Sequence, residues 1–86
     1  MKLHRANQNL TELTIQEGVI KCWCNNNRLT TLVLPESCRE CYANYNRLSK
    51  LILNENAEYI SCRNNKLTSL DLPENLQYLF CQHNLI

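Results

Sequence analysis

The chain has no excess of either charge, no long apolar run and no apolar leader. Nine Lys and Arg face eight Asp and Glu, a formal net charge of +1 with both signs well mixed along the sequence. Nothing global therefore draws these 86 residues to nucleic acid or to an anionic membrane surface. No stretch approaches the ~20 consecutive apolar residues that span a bilayer. The opening MKLHRANQNL is basic but carries no apolar h-region, so it does not read as a secretory signal. Without secretion, the sequon Asn9-Leu10-Thr11 never meets the glycosylation machinery. One small domain is all this length allows, and a compact globule of that size buries its own surface only marginally.

What the sequence does contain is self-similarity. Leu67–Ile86 reads LTSLDLPENLQYLFCQHNLI, and laid back in steps of nineteen its pattern recurs three more times without a gap. Four repeats result: 10–28, 29–47, 48–66 and 67–85, with Ile86 opening a fifth and 1–9 forming a degenerate half-repeat. A fixed short period means a repeat solenoid. Six positions per repeat are apolar in every copy. Position one is Leu10, Leu29, Leu48 and Leu67; position four is Leu13, Leu32, Leu51 and Leu70. Position six is Ile15, Leu34, Leu53 and Leu72; position ten is Val19, Cys38, Ala57 and Leu76. Position thirteen is Cys22, Cys41, Ile60 and Leu79; position fifteen is Cys24, Ala43, Cys62 and Cys81. Stacked coils turn such columns into one continuous core that no single coil could build.

Positions twelve to sixteen alternate outward and inward, as in Tyr78-Leu79-Phe80-Cys81-Gln82, which predicts a strand with one buried face. Stacking then predicts a parallel sheet. Between these segments there is no room for a helix of ordinary length, so short extended or single-turn 3₁₀ pieces are expected on the other side. Pro35 and Pro73 set φ for the turn that follows them. Asn27, Asn46, Asn65 and Asn84 recur at position eighteen, where a row of inward amides satisfies the backbone of adjacent coils better than it serves a ligand.

These residues resemble the leucine-rich repeat family. The match is to Leu-x-x-Leu-x-Leu-x-x-Asn-x-Leu, with cysteine or alanine at the third leucine, and it covers Leu10 to Ile86. The Leu-Pro-Glu-x turn looks like the short repeats of secreted bacterial effectors, and the frequent cysteine looks like repeats of giant viruses and some bacteria. Gln16 and Asn54 depart from the proline form at position seven. The resemblance implies a curved solenoid with a parallel sheet on its concave face and little or no α-helix. It also implies a protein partner on that face and no catalytic residues or cofactor.

Cys22-Trp23-Cys24 with Cys38 and Cys41 has the look of four zinc ligands. Yet all six cysteines fall in the inward columns ten, thirteen and fifteen, a placement with a chance probability on the order of 10⁻⁵. Buried free cysteine packs as a small hydrophobe, so core packing in a reducing, cytoplasmic compartment accounts for all six; for an effector or viral protein that compartment is the host cytosol. Cys22 with Cys41 and Cys62 with Cys81 are expected at about strand spacing, ~4.8 Å. Cys81 and His83 are close in sequence, but alternation sends them to opposite sides, and His4 lies in the degenerate start. No nucleophile, base and orienting group come together, so the chain does not read as an enzyme.

The aromatic residues are more informative. Trp23, Tyr42 and Phe80 share position fourteen, Tyr59 and Tyr78 position twelve, and Tyr45 stands at seventeen. All six lie outside the core columns, with Arg63 among their polar neighbours. Aromatics and arginine anchor protein interfaces, although aromatics also stabilise sheets through cross-strand contacts. The expected site is Trp23, Tyr42, Tyr45, Tyr59, Arg63, Tyr78 and Phe80, taking a protein ligand. Stacking on single-stranded nucleic acid is the weaker expectation, since Glu40 is present and no basic groove is evident. A purely structural spacer is the alternative from a different class. The columns Glu17, Glu36, Glu55, Glu74 and Arg28, Arg47, Lys66 read as a solvated rim. No polar coil seals the repeats after Leu85, so further repeats or self-association through that end are expected.

Overall fold

Each strand pairs with the strand nineteen residues away, and the architecture follows from that offset. The computed structural model describes residues 1–86 as seven strands of three residues each, with no helix. They are β1 (Lys2–His4), β2 (Lys21–Trp23), β3 (Thr31–Val33), β4 (Glu40–Tyr42), β5 (Lys50–Ile52), β6 (Tyr59–Ser61) and β7 (Tyr78–Phe80). Five of them form a parallel sheet in the order β1-β2-β4-β6-β7. The inward residues Leu3, Cys22, Cys41, Ile60 and Leu79 stand opposite one another along it. The protein is a parallel β-solenoid of about four turns. No helix is long and apolar enough to cross a membrane.

The half-repeat at the start contributes a full strand to this sheet, because Leu3 keeps the inward position and pairs with Cys22. On the opposite side of the coil the chain is extended, with no 3₁₀ turn anywhere. There β3 and β5 pair as a second parallel sheet, Leu32 against Leu51 pointing in and Val33 against Ile52 pointing out. β-Branched and apolar residues in an alternating run favour a pleated ladder over a 3₁₀ turn, whose hydrogen-bond geometry is poorer.

Two corners close each coil. At the first, the carbonyl of position seven accepts from the backbone N–H of position ten in every repeat. The pairs are Gln16 with Val19 (3.3 Å), Pro35 with Cys38 (3.0 Å), Asn54 with Ala57 (3.4 Å) and Pro73 with Leu76 (3.3 Å). In the first coil this turn uses Gly18 at φ 101°, a conformation that a side chain would strain although open space surrounds it. At the second corner, position seventeen is left-handed in every coil: Asn7, Asn26, Tyr45, Asn64 and His83 have φ between 56° and 62°. Asparagine tolerates that region better than other non-glycine residues, which explains its prevalence there.

All 16 residues of the buried apolar cluster come from the six columns, and Leu3, Leu10, Leu13, Leu53, Leu70, Leu76, Leu79 and Cys81 pack against it half-buried. Leu72 departs from its column. It is 55% exposed, whereas Ile15 and Leu34 of the same column are buried.

The asparagine column is a ladder between coils. Asn46 Nδ2 donates to the carbonyls of Ala43 in its own coil (3.3 Å) and Cys24 in the coil before (3.0 Å), while Oδ1 accepts from Leu29 N (3.0 Å). Asn27, Asn65 and Asn84 repeat this pattern. Asn54, the departure from proline at position seven, is buried and ties its turn to the previous one by donating to the Pro35 and Cys38 carbonyls. No buried side-chain polar atom is left without a partner.

Candidate functional site

The outward side of the five-stranded sheet carries one unbroken row of rings. Alternation on β2 and β4 turns Cys22 and Cys41 into the core and leaves Trp23 and Tyr42 outside, directly opposite each other. Their rings stack at 5.6 Å, nearly parallel at 7°. On β6 the corresponding position is Ser61, which is buried and donates to Asn44 Oδ1 (2.8 Å). Its small side chain leaves room for Tyr59, two residues earlier, to take up the row. Tyr59 meets Tyr42 diagonally at 5.3 Å, then Tyr78 and Phe80 on β7 at 5.6 Å each. The Arg63 guanidinium lies over the Phe80 ring, 5.0 Å from its centroid.

Six of the seven expected residues are thus brought together: Trp23, Tyr42, Tyr59, Arg63, Tyr78 and Phe80. Tyr45 is not in the row. It stands 57% exposed on the second corner in the left-handed conformation. A residue outside the expected set completes the row: His4 on β1 stacks on Trp23 at 4.6 Å and 6°. Counting nineteen back from Trp23 lands on His4, so the period held that signal, but the weak match around it hid the position.

Polar groups border the rings. Glu40 is held from two sides, by Lys21 Nζ (3.0 Å) and by the Tyr42 hydroxyl, which donates to Oε1 (3.1 Å). The Lys21 contact, aided by the Tyr42 bond, holds the Glu40 carboxyl below its ordinary pKa. Desolvation, followed by that same hydrogen bond, pushes the Tyr42 phenol up. Asn25 Oδ1 accepts from Asn44 N (2.8 Å) and Asn44 Oδ1 from Arg63 N (2.7 Å), a second amide ladder at position sixteen that stiffens this flank. None of the surface depressions is lined by Trp23, Tyr42 or Tyr59. These central rings therefore enclose no concave site of the kind small molecules need.

The cysteines belong to the core. All six are free; five are buried and Cys81 is half-buried. The neighbouring thiols of Cys24 and Cys41 hold Cys22 below its ordinary value. Cys22, with burial, pushes Cys24 up, and Cys22 and Cys24, with burial, push Cys41 up. Burial raises Cys38 to about 11 and Cys62 to about 12. No group of three or more His, Cys, Asp or Glu is arranged to hold a metal ion. Cys81 and His83 stand apart in character, one half-buried against the core and the other exposed on a left-handed corner. Compared with protein-family models, curated proteins and solved structures, the chain has no match in any of the three.

Proposed function

We propose that the chain is a short leucine-rich-repeat solenoid that binds a protein partner through the aromatic side of its five-stranded sheet, without catalysis. The observation that carries this reading is the row of contacting rings from His4 to Phe80, left partly exposed on the outward side of the sheet. Contact among rings contributes about 0.5–1.5 kcal/mol per pair to the sheet, so stability alone rewards part of the row. It does not account for Tyr45, a bulky residue kept exposed in a strained conformation outside the row. Six free cysteines packed in the core suit a reducing, cytoplasmic compartment.

Replacing Trp23→Ala together with Phe80→Ala is expected to abolish partner capture from a cell lysate while the far-ultraviolet spectrum stays unchanged. Capture by the double variant equal to that of the parent would leave the structural-spacer alternative in its place.

A further inference from the structure

The small net charge conceals a segregation around the coil. All eight acidic residues stand at positions three to twelve of the repeat: Glu at position eight in every copy, with Glu12, Glu40, Glu58 and Asp71 nearby. None stands anywhere from position thirteen to nineteen. That sector holds five cations: Arg5, Arg28, Arg47, Arg63 and Lys66. The other four Lys and Arg lie with the acids, and the formal +1 is what remains after the two halves cancel. Both ion pairs, Lys21 with Glu40 and Arg39 with Glu58, are also in the acidic half. The five cations of the opposite sector are all exposed, and none makes a salt bridge.

Within this sector Arg63 touches the aromatic row, over Phe80, and Arg28, Arg47 and Lys66 follow two residues past the left-handed corner at position seventeen. Arg28, Arg47 and Lys66 occupy one column on successive coils, about 4.8 Å apart at strand spacing. Like charges so arranged repel, and an anionic occupant relieves that repulsion. The rings narrow the choice of anion. His4, Trp23 and Tyr42 lie face to face at 6° and 7°, so their faces cover one another and their edges point outward. Bases of a single strand need free ring faces to stack on. Ring edges carry the positive end of the aromatic quadrupole and attract carbonyl and carboxylate oxygen instead.

We infer that the partner segment is an acidic peptide, laid along the aromatic edges with its carboxylates toward Arg28, Arg47, Arg63 and Lys66. This rests on the protein-binding reading above and adds the chemistry of the ligand. Five strands span about 19 Å from first to last, the length of roughly six extended residues.

The test measures fluorescence anisotropy of three labelled probes with the whole chain: a twelve-residue peptide alternating Glu and Leu, the same peptide with Lys for Glu, and a twelve-nucleotide oligo(dT). The Glu peptide is expected to bind at least about tenfold more tightly than either other probe, and more weakly at high salt. The triple variant Arg28→Glu, Arg47→Glu, Lys66→Glu is expected to lose that binding. If the reversal disturbs folding, Gln at the same three positions is expected to weaken binding about tenfold. Equal affinity for the Glu and Lys peptides, tighter binding of oligo(dT), or full binding by the triple variant would each overturn the inference. Lysate capture that is lost in the Trp23→Ala, Phe80→Ala protein but survives in the charge-reversed one would overturn the acidic-peptide inference and leave the binding face standing.

Discussion

Tyr45 is the one aromatic residue that nothing in the row requires. It takes the left-handed corner at φ 58°, where three of the other four coils place asparagine. A non-glycine residue held there costs about 1–2 kcal/mol, and asparagine recovers part of it through local hydrogen bonding. Tyr45→Asn is therefore expected to stabilise the fold by about 1 kcal/mol, an increase of several degrees in Tm by thermal unfolding. The same change is expected to weaken partner capture, because strain kept at an exposed side chain marks a residue held for a purpose other than folding. Greater stability with undiminished capture would remove Tyr45 from the binding face. His83 is strained at the same corner without an aromatic neighbour, and nothing in the structure explains that choice.

At the scale of the element, the ladder of asparagines decides how firmly neighbouring coils are joined. Asn46 is buried, and its removal strands the Leu29 N–H, while the Cys24 and Ala43 carbonyls keep one donor each from Asn27 and Asn65. A buried group left unpaired costs about 1–3 kcal/mol, so Asn46→Ala is expected to cost about that much. Asn84 makes the same bonds but is half-buried, so water replaces them and Asn84→Ala is expected to cost distinctly less. Urea midpoints of the two variants settle the comparison, and equal losses would show that the ladder does not act through burial. The position-eighteen ladder was legible in the sequence, since a polar column at a fixed period has to meet the backbone. The second ladder, Asn25 and Asn44, was not, because those residues share their column with Arg63 and Gln82 and form no uniform signal.

For the whole molecule, the thiols tie stability to alkaline pH. Burial raises Cys38 to about 11, and burial with the neighbouring Cys81 raises Cys62 to about 12, from an ordinary value near 9. In the unfolded chain both thiols ionise around 9, while in the fold they keep their protons, so between about 9 and 11 the folded state binds more protons. The contribution of these two thiols is therefore level below pH 9, and stability is expected to fall as pH rises through 9 to 11. Replacing Cys38→Ala and Cys62→Ala together should lessen that fall, measured as urea midpoints at successive pH values, with Cys24 and Cys41 accounting for what remains. The same burial makes five of the six thiols slow to react with a disulfide reagent at pH 8 until the protein unfolds, with Cys81 the first to respond.

The repeat by itself determined the core, the parallel order of the sheet and the asparagine ladder, because each depends only on which residues recur every nineteen positions. Tertiary structure alone decided what depends on side-chain size across coils. Ser61 is small, so Tyr59 crosses diagonally and keeps the row continuous; no column in the sequence contains that step. His4 joins the row because β1 pairs fully despite Arg5 at an inward position, and Leu72 stands exposed although Ile15 and Leu34 of its column are buried. The positive charge of the flank that follows the strand was present in the sequence but invisible in the total. Only closing each coil separates the acids of one turn from the cations of the other, and that separation is a property of shape.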